Sequence, residues 1–474
     1  MDRTLIVAGS GPAGVLTAVL LARRGCEVTL LTADRPRPRI EGLSQRVVDV
    51  LAAQRLDHAL GAVGPEVARQ ALWNGERGPR NVEFATERVA FDAALLRDAV
   101  ANGVRCRTVR KIVVDGSSPS VLRIETDGKH REQLHARMIV EARGRSAPLP
   151  RVHATSGPPT TALVSAVAGG PTAAGTCVES FADGWAWYVA DGDVAFLQIF
   201  VDSTGGLPKR NELRRLFDRC AEQLTLAPEL MGAGRPAGAI ATRNATPRLA
   251  HTLLTDTVIS IGDAASGVDP LSGHGVFEAL GSALAAAAAI LTIIETPANA
   301  DLARRFYEER TRFGFERFAR VGRDFYRIEE RWRDRPFWRR RAEWPDDEPA
   351  HAPALGAPAR IERRPVVADG LVVEHRVVVT PDQPRGIWQI DGVRLTELID
   401  RLREMEGASL SEHRASLAAR LDVADLKLTT ALDWLRSRKV LQMADRIALD
   451  RAAIIAADEA RADEVTGAGR PRCE

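Results

Sequence analysis

Short apolar runs, Gly-rich turns and longer apolar or amphipathic segments follow one another along the chain. Between Thr4 and Thr32, TLIVAG is a short apolar run, VLTAVLLARRG has helical character and closes at Gly25, and CEVTLLT is a second apolar run. Continuous apolar runs of this length predict buried strands, and the segment between them a crossover helix, so the stretch predicts one βαβ unit. VRCRTVRKIVVD and VLRIETD predict further strands, and ARMIVEARGRS a strand that ends in a Gly turn. Residues 160–205 contain the alternating segments WAWYVA and VAFLQIFVD, which predict an antiparallel sheet. Asp256 to Ile261 is again a short buried strand, followed by a Gly-rich loop and a long helix from about Gly275.

Elements of one α/β domain thus flank a β-rich insertion. The expected organisation is a discontinuous Rossmann-like domain over residues 1–150 and 251–344, interleaved with an antiparallel-sheet substrate domain over 151–250. The Pro- and Ala-rich stretch PDDEPAHAPALGAPAR predicts a linker at 345–360. A small α+β, winged-helix-like module is expected over 361–455, with Trp388 and Trp434 in its core, and a flexible tail over 456–474.

Composition narrows the class. A chain of 474 residues, 45% hydrophobic and 27% charged, is long enough for two or three globular domains. A formal net charge of +2 gives no electrostatic footprint for nucleic acid. The N-terminus lacks a basic and apolar leader, and the longest apolar candidate is read as Leu284 to Ile293, so the expectation is a cytoplasmic protein without membrane insertion. Cys26, Cys106, Cys177, Cys220 and Cys473 form no CxxC pair, so neither a disulfide framework nor a metal site is expected.

Gly9-Ser10-Gly11-Pro12-Ala13-Gly14 follows a predicted strand and opens a predicted helix, the context in which GxGxxG binds a dinucleotide. Gly9 permits the tight turn, Gly11 lets backbone approach a pyrophosphate, and Gly14 allows the helix to pack on the strand. Thr32 stands where a ribose-binding acid is usual, and Asp34, two residues on, is the candidate in its stead. Gly232-Ala233-Gly234 has a helix-like stretch before it and reads as a loop, so no separate nicotinamide domain is visible.

The segment Ser260-Ile261-Gly262-Asp263-Ala264-Ala265, followed by Asp269-Pro270-Leu271-Ser272-Gly273-His274-Gly275, resembles the second flavin fingerprint of the group A flavoprotein monooxygenases and flavin-dependent halogenases. The resemblance implies FAD as cofactor, with Gly262 among the residues that bind it, Asp263 on its ribityl chain, Pro270 beside the isoalloxazine, and Gly273 and Gly275 presenting backbone N–H groups to its pyrimidine end. By the same resemblance Arg46 in GLSQRVVDVL and Arg88 in ERVAFDAALL lie near the flavin. IVEARGRSAPLPR resembles a further segment of the family, with Glu141 and Arg143 departing from its commonest residues. His274 is the candidate for catalytic proton handling, since a neutral imidazole titrates near working pH. Trp185 and Trp187 either pack a sheet or wall a substrate cavity.

Three chemistries share this cofactor. A monooxygenase delivers oxygen to an electron-rich ring, a halogenase oxidises halide and needs an N-terminal Lys, and a reductase or oxidase stops at hydride transfer. No Lys precedes Lys111, and Trp185-Ala186-Trp187-Tyr188-Val189-Ala190 lacks the Pro of the halogenase segment, which argues against halogenation. SGHGVFEAL and FYRIEERWRDRPFWRRR, with a C-terminal module after them, look like the flavoprotein monooxygenases that mature quinohaemoprotein amine dehydrogenase. That resemblance implies hydroxylation of a tryptophan in a peptide or small protein substrate, toward cysteine tryptophylquinone, with NAD(P)H as a transient co-substrate. A flavin-binding sensor is the non-enzymatic alternative.

Overall fold

The computed structural model describes residues 2–33, 39–114, 121–126, 131–147, 154–169, 173–355, 357–404 and 410–440. Asp34, expected at the ribose, and the tail 456–474 lie outside the described residues. The chain divides into two compact units, one of residues 1–350 with 367–372, the other of residues 351–366 with 373–474. The division at 350/351 falls inside the stretch expected as a linker, and residues 367–372, expected in the C-terminal module, belong to the first unit.

In chain order the first unit contains β1 (Thr4–Ala8), α1 (Pro12–Arg23), β2 (Glu27–Ala33), β3 (Ile40–Leu43), α2 (Gln45–Ala53), β4 (Glu66–Trp73), β5 (Glu76–Glu87), α3 (Arg88–Ala101), β6 (Arg105–Val109) and β7 (Met138–Glu141). There follow β8 (Thr160–Ala168), β9 (Gly175–Phe181), β10 (Gly184–Ala190), β11 (Ala195–Asp202), α4 (Leu213–Ala221), α5 (Leu226–Met231), β12 (Arg235–Asn244) and β13 (Val258–Ser260). The unit ends with α6 (Gly275–Glu295), α7 (Ala300–Ile328) and α8 (Pro336–Ala342).

Five strands form a parallel sheet in the order β13-β7-β1-β2-β6. Its strands read as continuous apolar runs because both faces are covered. Leu5, Val7, Leu30 and Val140 meet the helices α1 and α6, while Ile6, Ala8, Leu31 and Ile139 meet Leu122 and Ile124 of a small antiparallel sheet. The α6 helix is longer and more apolar than the Leu284–Ile293 run suggested, and its 21 residues would be enough to cross a bilayer by length and composition. It is instead a core helix: Ala285 to Ala289 are all buried, and small side chains let it pack against α1.

An eight-stranded sheet runs β12-β8-β11-β10-β9-β4-β5-β3, antiparallel except where β9 meets β4. The chain therefore returns to it from both halves of the parallel-sheet region, since β3, β4 and β5 precede residue 151. One face, with Ala186, Tyr188, Leu197 and Ile199, packs on α4 and α5. The start of α5 is fixed by the buried Glu179, whose carboxylate accepts from the amides of Thr225, Leu226 and Ala227 at 2.6–3.0 Å. The other face carries Ala71, Val178 and Trp185 and packs against Leu271, Tyr326, Phe337 and Trp338. Gly232 to Gly234 form the loop between α5 and β12.

The second unit places strands Arg360–Ala368, Leu371–Thr380 and Gln383–Ile387 before helices Leu395–Glu404, Leu410–Leu421 and Asp425–Ser437. Leu395, Leu398, Leu428 and Leu432 centre its core, and Trp388 and Trp434 are half-buried at the edges.

Candidate active site

The Gly-rich turn joins β1 to α1. Gly9 has φ +118°, and a Cβ on it would stand 2.4 Å from the Ala142 carbonyl oxygen of β7's end. A Cβ on Gly14 would stand 1.9 Å from the Gly9 oxygen, so both glycines are required by the fold itself. Gly11 is different. Its backbone is extended, with φ −72° and ψ 176°, and a Cβ there would meet nothing within 4 Å. Pro12 takes the first helical position, the buried Ala13 follows, and no side chain caps α1. The free amides and positive dipole end of α1 suit a pyrophosphate, whose approach only a Gly11 without a side chain allows. Where the acid is absent, the Thr32 hydroxyl lies 2.6 Å from that of Ser10 and ties the turn to β2.

The second motif abuts the first. Gly262 has φ +54°, and a Cβ there would stand 3.0 Å from the Cβ of Ala13. Asp263 is bonded by Arg145 Nε at 3.1 Å, and the same guanidinium donates to the carbonyls of Thr246 at 2.6 Å and Val268 at 2.7 Å. Arg145 therefore ties together both ends of the loop that carries the motif. Past it, Asp269 caps a short turn of Pro270–Ser272 by accepting from Leu271 N at 2.9 Å, and Gly273 completes the turn at φ +67°. Gly275 then opens α6, whose first turn is not capped by a side chain. A glycine-bracketed loop feeding a bare helix N-terminus fits the anionic, acceptor-rich pyrimidine end of a flavin.

His274 is half-buried between these glycines. Its Nδ1 donates to the Ser272 carbonyl, and because a carbonyl can only accept, Nε2 carries the lone pair of the neutral ring. Burial lowers its pKa, and Arg46, Arg317 and Arg69 push the same way against the opposing bond to Ser272. Arg46, exposed on α2, stands 5.8 Å from the Phe277 ring in the first turn of α6, so the structure brings it to the flavin loop. Arg88 is held otherwise. It is buried and pairs with Glu41 at 2.8 Å and Asp92 at 2.6 Å. Burial alone would raise Glu41, but Arg88 and Arg39 outweigh it and hold that carboxyl below its usual range, while for Asp92 burial wins and raises it.

The two candidate tryptophans part company. Trp185 is 2% exposed, stacks on Phe200 with centroids 3.8 Å apart, and presents no open indole surface, so of the two alternatives it packs the sheet and does not wall a cavity. Its Nε1–H donates to Tyr326 Oη at 3.2 Å, and that hydroxyl donates to Asp269 at 3.1 Å. A buried relay thus runs from the sheet through α7 to the flavin loop. Burial keeps the Asp269 carboxyl above its usual pKa despite bonds from Leu271 and Tyr326. Trp187 is half-buried beside Phe196, with its own Nε1–H bonded to Thr176 at 2.8 Å. Arg145 could have been noticed in the GRS turn, but Tyr326 carries no local signal, since its role arises from contacts 57 and 141 residues away. Among the described residues no cluster of His, Cys, Asp and Glu could hold a metal ion.

Comparison with known proteins agrees with this site. Residues 2–163 match the family model described as an FAD binding domain. A peptidyl tryptophan dihydroxylase, QhpG, essential for tryptophylquinone cofactor biogenesis, is 36% identical, with a TM-score of 0.76 over 92% of this chain and 99% of its own. The tryptophan 2-halogenase of Chondromyces crocatus is 27% identical over 367 residues, 70% of this chain and 69% of the relative. The kynurenine 3-monooxygenase of Xanthomonas euvesicatoria pv. vesicatoria (strain 85-10) is 29% identical over 167 residues, 31% of this chain and 36% of the relative. The parallel-sheet core, both flavin motifs and a match over nearly its whole length place the chain in the group A flavoprotein superfamily of monooxygenases and halogenases, as an FAD-dependent monooxygenase of the peptidyl tryptophan dihydroxylase family.

Proposed function

We propose that the chain uses NAD(P)H and O2 to hydroxylate a tryptophan side chain in a peptide or small protein, as a step in the making of a tryptophylquinone cofactor. The observation that carries the reading is the 36% identity to a peptidyl tryptophan dihydroxylase across 92% of the chain. Bound FAD supplies hydride acceptance and oxygen activation. Gly9, Gly11, Pro12, Ala13 and Gly14 receive the pyrophosphate, Asp263 the ribityl chain, and Gly262, Pro270, Gly273 and Gly275 the ring, with Asp34 toward the ribose. Arg46 and the first turn of α6 favour negative charge at the ring's pyrimidine end. His274 accepts or returns a proton at Nε2. Trp187 and Phe196 offer a half-buried aromatic wall for an indole, whereas Trp185 anchors the loop through Tyr326. The second unit serves as the docking element for the macromolecular substrate.

Halogenation is the second reading, favoured by the likeness to a tryptophan 2-halogenase. The lack of any Lys before Lys111 speaks against it. Oxidation of NAD(P)H by the FAD-loaded protein, stimulated by a tryptophan-containing peptide in the presence of halide, separates the readings by the mass of the product. Turnover no faster than with free flavin would leave only a flavin-binding role.

A further inference from the structure

Among the described residues, Glu83 is a buried carboxylate that the fold leaves without an explanation. It lies on β5 directly opposite Val67 of β4 and is 7% exposed, and its Oε1 is buried without a hydrogen-bond partner. A buried carboxylate oxygen without a partner is costly, and proteins keep one where something else supplies the donor. The space around it is made for it. A Cβ on Gly42 of the neighbouring β3 would stand 2.2 Å from Glu83 Oε2, so Gly42 is a floor on which the carboxylate lies.

The face it occupies is the one that meets the flavin loop. Val67 and Ala85, its neighbours on that face, cluster with Ile40 and Val189 beneath the half-buried Trp187 and Phe196. The same Trp187 and Phe196 border the cluster that contains Trp185, Tyr326 and Leu271 of the loop. Two residues along β4 from Val67, Arg69 brings Nη1 to 3.6 Å from where a Gly273 Cβ would lie. An aromatic wall with a lone carboxylate acceptor at its edge is complementary to a flat, apolar ring that carries one N–H.

We propose that Glu83 binds the substrate by accepting a hydrogen bond from the indole N–H of the tryptophan to be hydroxylated. The inference rests on the proposed tryptophan substrate and names the atom of that substrate which is read. The bond orients the ring on the Trp187 and Phe196 wall. Partial negative character transferred to the indole nitrogen also makes the ring more electron-rich, which favours oxygen transfer to it.

The test uses the FAD-loaded full chain, with N-acetyltryptophanamide and its 1-methylindole counterpart as probes and the absorbance of the bound flavin as readout. A hydrogen bond to a charged acceptor predicts that the wild type binds the N–H probe about ten-fold or more tightly than the methylated one. In Glu83→Leu the ratio collapses toward one, and Glu83→Gln falls between; a ratio due to crowding by the methyl group would survive in Glu83→Leu. Because Glu83 Oε1 has no partner in the fold, Glu83→Gln melts no lower than wild type and keeps its FAD. The proposal is overturned if the wild type binds both probes equally or neither, if Glu83→Leu keeps the ratio, or if Glu83→Gln loses FAD or stability. Oxygenation of a tryptophan peptide by the wild type is scored separately, so that its absence removes the substrate reading while an unchanged ratio in the variant removes only the role of Glu83.

Discussion

Gly11 is the glycine whose side chain the protein could accommodate and the ligand could not. Gly11→Val should fold and melt as the cofactor-free wild type does, because a Cβ there meets no neighbour, yet it should purify colourless. A yellow, stoichiometrically loaded Gly11→Val would contradict the assignment of the phosphate turn. Tyr326 carries the opposite kind of prediction. Tyr326→Phe strands the Trp185 N–H and removes one donor from the buried Asp269, so it should lose about 1–3 kcal/mol in urea unfolding. At this scale the GxGxxG turn was legible because each glycine answers a local backbone demand. Glu83 was not. In NVEFATE, Val82 is 48% exposed and Phe84 half-buried, while Glu83, Ala85 and Thr86 are buried. A buried carboxylate runs against the hydrophobic rule by which faces are assigned, so no local pattern points to it.

At the scale of elements, the flavin loop and the start of α6 bear on pH. The folded chain holds the His274 pKa below its ordinary 6.5, so the unfolded chain binds this proton first as pH falls. The stability contributed by neutral His274 is therefore complete above about 6.5 and is lost as pH falls through the lower folded value. The acid limb of the rate should likewise lie below 6.5, and His274→Gln should abolish it; an unchanged limb in that variant would remove His274 from proton handling. The start of α3 depends on Arg88, which joins Glu41 of β3 to Asp92. Arg88→Met leaves both carboxylates without that cation and should cost about 3 kcal/mol in a denaturant melt. The βαβ unit and the strand of Val258–Ser260 could be read in the sequence, since buried parallel strands are short uninterrupted apolar runs. The β3, β4 and β5 strands could not be assigned to the insertion's sheet, because β4, which links them to it, pairs with β9 across about a hundred residues and no local pattern records it.

In the whole molecule, residues 342–350 belong with α7, where Asp346 pairs with Arg320 at 2.9 Å and Trp344 packs on Phe315. A truncation made to test docking should therefore follow Ala350. Such a truncation also removes Val372, a fully buried member of the main core whose amide donates to Thr292 at 2.7 Å. The shortened protein should keep FAD but melt lower, in keeping with about 1.5–3 kcal/mol for one buried valine. If the second unit docks the substrate, peptide affinity should fall far more than turnover of a small indole, and unchanged peptide affinity would assign that unit to support alone. Proline-rich composition identified the boundary region but not the return of residues 367–372 to the first unit, which depends on the buried Val372 with Val367 and Leu371 beside it in a hairpin. The central claim, oxygen transfer to a peptidyl tryptophan, is tested most directly by mass spectrometry of a tryptophan-containing peptide after turnover with NAD(P)H and isotopically labelled O2 in excess chloride and bromide. The account predicts a peptide that gains labelled oxygen on its indole ring and no halogen. A halogenated indole as the main product, or a peptide left unmodified while the flavin is reduced and reoxidised, would contradict it.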